Sequence, residues 1–228
     1  MTGSTRHSSL IGRVYGATWG RLFSVLYDRG LKETEDAGLR EKRRELLAGA
    51  WGRVLEIGAG TGLNLVHYPA EVESLTLAEP DPHMAKRLRG RLASSSRSAE
   101  VVQAPAERMP FPSDAFDTVV ATLVLCTVPD PATAVAEARR VLRPGGQLLF
   151  LEHVRAEDSE SARWQDRLEK PWRFLADGCH CNRDTVATLR ASGLALANVE
   201  RGEVPKAPPI VRPLVVGRAV EEEQGAKG

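Results

Sequence analysis

From residue 52 onward, short apolar runs alternate with amphipathic segments. The runs are RVLEIG at 53–58, SLTLAE at 74–79, EVVQA at 100–104, FDTVVATLVL at 116–125 and QLLFLEHV at 147–154. Continuous apolar runs of this length predict strands buried on both faces of a sheet. Between the second and third runs, DPHMAKRLRGRL places Met84, Leu88 and Leu92 at helical spacing behind the start signals Asp81 and Pro82. Between the fourth and fifth, PATAVAEARRVL predicts a second helix, ended by Pro144, Gly145 and Gly146. Alternation of this kind predicts an α/β fold, a doubly wound and mostly parallel sheet with helices on both faces. Ligands of such sheets sit beyond the carboxyl ends of the strands, where the strand order reverses.

The pattern before residue 52 is different. SLIGRVYGATWGRLFSVLYD at 9–28 intersperses Arg13 and Arg21 among apolar residues, which argues against a spanning helix. An amphipathic helix interrupted by glycine is expected there, covering a pocket or, as the lesser alternative, lying on a membrane surface. A further helix over 33–49 is charged on one face and carries Leu39, Leu46 and Leu47 on the other. The expected organisation is an amino-terminal tail and helical lid over 1–49, one domain over 50–220, and a disordered tail over 221–228.

Composition narrows the partner. The 31 basic and 30 acidic residues nearly cancel, so no global field favours nucleic acid. A small molecule is the expected partner. Three cysteines make no disulfide framework, and no signal-peptide pattern is visible, so a cytoplasmic location is expected.

The loop after the first run reads Glu56, Ile57, Gly58, Ala59, Gly60, Thr61, Gly62. Glycines in a strand-to-helix turn let a ligand approach the backbone. The third glycine of a dinucleotide loop is replaced by Leu63, while Glu79 follows Gly58 by 21 residues and can accept hydrogen bonds from ribose hydroxyls. A nucleoside without a pyrophosphate fits both features. Glu56, near the end of a buried strand, is expected to be hydrogen-bonded beside this loop.

VLEIGAGTG at 54–62, LAEPDPHM at 77–84, APAERMPFPSDAFDTVVA at 104–121, LVLCTVPD at 123–130 and RRVLRPGGQLLFLEHV at 139–154 stand in order. On these motifs the chain resembles the class I S-adenosylmethionine-dependent methyltransferases of the type 11 branch, which includes quinone-ring C-methyltransferases. More closely still, it is similar to methyltransferase-like enzymes of small thiols, through TLVLCTVPD, FLEHV and PWRFLADGCHCNRD. The resemblance implies a seven-stranded Rossmann-like sheet and S-adenosylmethionine as cofactor.

It also implies site residues. Gly58, Ala59 and Gly60 would line the methionine moiety, with Glu56, Gly62 and Asn64 completing the loop's contribution. Glu79 would hold the ribose, and Pro80 and Met84 would contact the adenine. Ala106 and Glu107 lie where the family recognises the adenine edge, and Thr122 and Leu123 would sit by the sulfonium. One departure is Pro105, where many members carry Asp or Asn for the adenine amino group.

Methyl transfer is a displacement at a sulfonium carbon, so alignment and exclusion of water carry most of it and no metal is expected. A thiol near its ordinary pKa already supplies some thiolate, whereas phenols, amines and carbon acids need a base. Candidate bases are His153, Asp177 and His180, with His153 and Asp177 taken as catalytic. Tyr15, Trp19, Tyr27, Cys126, Trp172 and His180 are the expected acceptor contacts. GCHCNRD at 178–184 offers too few ligands in too awkward a local geometry for a metal, and Asn182 is expected to cap a following helix. The expected function is therefore small-molecule methyl transfer, with a thiol as candidate acceptor, by a monomer or homodimer. A quinone or lipid acceptor, or a cofactor-binding protein without catalysis, stands as the alternative.

Overall fold

The computed structural model describes residues 25–221, so Tyr15, Trp19 and the first part of the expected lid lie outside the described residues. All five apolar runs are strands: β1 Arg53–Ile57, β2 Ser74–Ala78, β3 Glu100–Val102, β4 Phe116–Thr122 and β5 Leu142–His153. Two more, β6 Ala195–Glu203 and β7 Pro213–Val220, complete a seven-stranded sheet of order β3-β2-β1-β4-β5-β7-β6. The first five strands run parallel, and β7 runs antiparallel to both of its neighbours.

Helices cover both faces. They are α1 over residues 25–34, α2 Arg40–Leu47, α3 Pro82–Ala93, α4 Pro131–Val141, α5 Ser159–Leu175 and α6 Thr185–Ala191. Side chains alternate across each strand, so Leu55 and Ile57 join one core with Val119, Phe150 and the apolar side of α4 and α6. Val54, Val120 and Leu151 join the other, against Leu39 and the Leu46–Leu47 pair of α2. Each such side chain removed from water contributes roughly 1.5–3 kcal/mol. The Asp81 carboxylate caps α3 by accepting the His83 and Met84 N–H groups at 2.9 and 2.8 Å, as its sequence signal predicts.

Three local expectations change. The helix expected over 33–49 is α2 preceded by a π-helical turn, Glu35–Leu39, where Gly38 takes φ 135° and breaks the regular hydrogen-bond ladder. Helix α4 ends at Val141, and Pro144, Gly145 and Gly146 lie inside β5, at the register shift between Phe116 and Thr118. There Gly145 has φ 77°, and a Cβ on Gly146 would come within 2.9 Å of the Arg143 carbonyl, so the glycines shape a bulge rather than a helix stop. Helix α6 is capped by Asp184, whose carboxylate accepts the Ala187 N–H at 2.9 Å. Asn182 instead donates to Asp166 at 2.9 Å.

Candidate functional site

Strands β1 and β4 are neighbours whose following connections lead to opposite sides of the sheet, and the crevice beyond their carboxyl ends is the switch point. The glycine loop leaves β1 there. Gly58 has φ 61°, and a Cβ on it would lie 2.1 Å from Val124 Cγ2, so only glycine lets the loop pass the segment after β4. The Gly60 N–H donates to Glu79 Oε2 at 2.7 Å and the Asp81 N–H to Glu79 Oε1 at 2.8 Å. Glu79 is thereby held at the end of β2, and burial raises its carboxyl above the ordinary value.

A cavity of about 780 Å³ opens over these groups. One end holds Gly58, Gly60, Glu79, Pro80 and Met84, with Pro105, Ala106 and Glu107 beside them. Elsewhere on its wall Cys126, His153 and Cys179 cluster, with Leu123 and Trp172 also lining it, while Asp177 lies near enough to Asp81 and Glu79 to feel their charges. Leu26, Tyr27, Gly30 and Leu31 of α1 also line it, and Asp28 ties that helix to the site by accepting from Thr61 at 2.5 Å and Arg91 at 2.6 Å. Glu107 accepts the Asp130 N–H at 3.2 Å, and the Gln103 amide donates to the Pro80 carbonyl at 3.0 Å.

Glu56, Ala59, Gly62, Asn64, Thr122 and His180 are not among the lining residues. Glu56, Asn64 and Thr122 belong to a buried polar network beneath the loop, centred on Arg43. Its guanidinium donates to Glu35 at 2.9 Å and to Asn64 and Thr122 at 3.1 Å each. The Asn64 amide donates to Glu56 at 2.9 Å and to Thr122 at 2.8 Å, and the Tyr68 hydroxyl donates to Glu56 at 2.7 Å. Burial pushes the Glu56 carboxyl up to about 7 despite those two donors. This network welds the π turn, the glycine loop and the end of β4 into one rigid floor. Arg43 was not anticipated, because a lysine- and arginine-rich helix gives no sign of which cation turns inward.

Glu152 is the other residue that strand patterning concealed. It is fully buried, and its carboxylate accepts the Val124 and Leu125 N–H groups at 2.9 Å each and that of Cys126 at 3.3 Å. Burial still pushes it up to about 7. These bonds curl the chain after β4 so tightly that Leu123 takes φ 57°, a left-handed conformation unusual for a bulky residue, with its N–H bonded to the Leu151 carbonyl at 2.7 Å. The signal was a lone carboxylate inside an apolar run.

The same curl brings Cys126 to the cysteine-rich segment. The His180 N–H donates to the Cys126 carbonyl at 2.8 Å, and the Cys126 and Cys179 sulfurs lie 3.7 Å apart. Cys179 Sγ is 3.8 Å from His153 Nδ1. The Cys126 thiol and the His153 ring hold the Cys179 thiol well below its ordinary value, whereas the contact with Cys179 and burial push Cys126 well above it. Asp177 lines the cavity with φ 47°, its carboxyl raised by partial enclosure and by Asp81. His180 Nδ1 lies 2.8 Å from Glu169. The Trp172 indole N–H is buried on the cavity wall beside the Cys179 thiol, which it helps to hold low.

Residues 55–150 match the family model described as "Methyltransferase domain". Thiol S-methyltransferase TMT1B of Homo sapiens is 39% identical over 196 residues, spanning 80% of this chain and 80% of that protein. Ubiquinone/menaquinone biosynthesis C-methyltransferase UbiE of Marinomonas sp. (strain MWYL1) is 40% identical over 109 residues, covering 46% of this chain and 43% of the relative. Among solved structures, N-methyltransferase NodS of Bradyrhizobium japonicum WM9, in complex with S-adenosyl-L-homocysteine, superposes with a TM-score of 0.61 at 19% identity, over 80% of this chain and 86% of that one. That level of identity speaks to the fold.

Proposed function

Because the chain belongs to the S-adenosylmethionine-dependent methyltransferases, we propose that it methylates the sulfur of small, largely apolar thiols. The observation that carries this reading is a single cavity whose two ends differ in chemistry. Glu79 and the glycine loop lie at one end, and an apolar chamber ending in Cys126, His153 and Cys179 lies at the other. The 39% identity to a thiol S-methyltransferase over four-fifths of both chains supports sulfur as the acceptor atom.

The residues fit the cofactor on two counts. Gly58 and Gly60 present backbone without side chains to the cavity, and Glu79 offers a carboxylate already aimed by two backbone N–H groups. When bound, S-adenosylmethionine supplies a methyl group made electrophilic by its sulfonium. Glu79 accepts the ribose hydroxyls, Met84 and Pro80 pack on the adenine, and the backbone beside Pro105, at Ala106, takes the place of the missing acidic contact. Leu123, held in its left-handed turn by Glu152, closes the wall beside the methyl group. On the acceptor side, Trp172 and Tyr27 exclude water. His153, 3.8 Å from Cys179 on the cavity wall, is the residue that acts on the acceptor thiol. Helix α1 forms a lid over the cavity, and residues 50–220 are the catalytic domain.

Offering the enzyme and methyl-labelled S-adenosylmethionine a panel of thiols, phenols, quinols and amines tests the reading. Labelled thioethers are expected. Transfer confined to quinols or amines, or tight cofactor binding with no product, overturns it.

A further inference from the structure

We propose that Cys126, His153 and Cys179 are three ligands of a thiophilic divalent cation, Zn²⁺ above all, whose open fourth position faces the cavity and receives the acceptor sulfur. The three residues come from separate elements: the turn after β4, the last position of β5, and the segment after α5. Their donor atoms all lie within 4.8 Å of one another. A tetrahedral zinc ion with ordinary Zn–S and Zn–N bonds sets its ligand sulfurs about 3.8 Å apart and sulfur from nitrogen about 3.6 Å. The corresponding separations here are 3.7 Å between the two sulfurs and 3.8 Å from Cys179 Sγ to His153 Nδ1.

Two of the three are also held through their backbones. Glu152 holds the Cys126 N–H, His180 holds the Cys126 carbonyl, and the Cys179 N–H donates to the Ala176 carbonyl at 3.1 Å. The remaining pair, Cys126 Sγ and the His153 ring nitrogen, lies within 4.8 Å, a gap that small side-chain rotations close. Three protein ligands with a vacancy on a cavity is the arrangement of catalytic rather than structural zinc. All three residues line the acceptor end of the cavity, so a fourth ligand enters from there.

The charges balance at each step. Two cysteine thiolates and a neutral imidazole cancel the charge of the cation, so the loaded site is neutral within its apolar surroundings. An acceptor thiol binds through sulfur as its S–H proton leaves to solvent, which makes the site singly negative and its sulfur strongly nucleophilic. The sulfur pair then forms the S–CH₃ bond while the methyl–sulfonium bond breaks. That step yields neutral thioether and neutral S-adenosylhomocysteine and restores the three-ligand site. This second half rests on the thiol reading, whereas metal binding by the trio does not.

The full chain, purified reduced and freed of metal by chelation, is titrated with Co²⁺ alone and then with ethanethiol. The expected result is one Co²⁺ per chain with tetrahedral d–d absorption and a sulfur-to-cobalt charge-transfer band, displaced by Zn²⁺. The d–d bands should shift when ethanethiol is added. Cys126→Ser and Cys179→Ser should each lose at least tenfold in Co²⁺ affinity, and Cys181→Ser should not. Circular dichroism and S-adenosylhomocysteine binding confirm that each variant is folded. Absence of stoichiometric Co²⁺, a signature untouched by Cys179→Ser, or a Cys126–Cys179 disulfide forming in place of the metal complex would overturn the site. Bound Co²⁺ that is blind to ethanethiol would overturn its acceptor role. Thiol methylation undiminished in chelated protein would overturn the metal while leaving the proposed function standing. A metal-loaded protein that methylates no thiol would do the reverse.

Discussion

Glu79 Oε2 accepts the backbone N–H of Gly60 across 2.7 Å, so the carboxylate ending β2 fixes the loop that leaves β1. Its second oxygen is committed to Asp81, and the ribose must share both oxygens. Glu79→Ala removes those charge-assisted contacts, each worth about 1.5–3 kcal/mol. Affinity for S-adenosylhomocysteine by calorimetric titration should fall on the order of a hundredfold with the circular dichroism spectrum unchanged. An unchanged affinity would remove Glu79 from the site.

Gly58→Ala should damage fold and binding together. The new methyl meets Val124 Cγ2 at 2.1 Å, and φ 61° is itself costly for alanine. Together these destabilise by roughly 2–4 kcal/mol. Pairing it with Val124→Ala removes the Cγ2 clash and leaves Val124 Cβ at 2.8 Å, so the double variant should recover only part of the loss in chemical denaturation. No recovery would place the strain elsewhere.

Arg43 makes a prediction about stability alone. Its removal leaves Glu35 buried without its cation and strips donors from Asn64 and Thr122. Arg43→Ala should cost about 3–5 kcal/mol in unfolding free energy. Arg43→Lys cannot span all three partners, so it should recover only part. A loss under about 1 kcal/mol would show that the network is dispensable.

Glu56 carries a pH signature. Its carboxyl is raised from 4.5 to about 7, so the folded state binds the proton more tightly than the unfolded chain does. The resulting stability is present in acid and is lost as pH rises through about 7, on the order of 2–3 kcal/mol. Glu152 behaves alike, and the lowered His67 and His180 act in the opposite direction, but all three persist in a Glu56→Gln variant. Relative to the parent, Glu56→Gln should therefore gain roughly 2–3 kcal/mol between pH 5 and pH 8. Parallel stability profiles would contradict the raised value.

The parts of this molecule legible in sequence are those with local causes. β1 through β5 announce themselves as apolar runs, α3 by Asp81 and Pro82, and the loop by its glycines. β6 was not legible, since Ala195–Glu203 has no buried residue and lacks an apolar run, and β7 includes Arg218 and Gly217. Gly217 answers to Phe150, which would sit 2.8 Å from an added Cβ, a reason invisible until the two strands pair. The inward turn of Arg43 and the clasp of Glu152 likewise depend on partners distant in sequence. The cysteines of GCHCNRD illustrate the limit best. Cys179 and Cys181 are adjacent in the pattern, yet Cys181 turns its sulfur to the Gln165 carbonyl at 3.6 Å while Cys179 meets Cys126 and His153.

Sulfur as the acceptor atom is the central claim, and a matched pair of substrates isolates it. Hexanethiol and hexanol differ only in the reacting atom, so both should enter the same apolar chamber. Offered together with S-adenosylmethionine, they should yield methyl hexyl thioether alone, with one S-adenosylhomocysteine formed per thioether by mass spectrometry. Methyl ether from hexanol, or no thioether from an enzyme that methylates a quinol or an amine, would contradict the account.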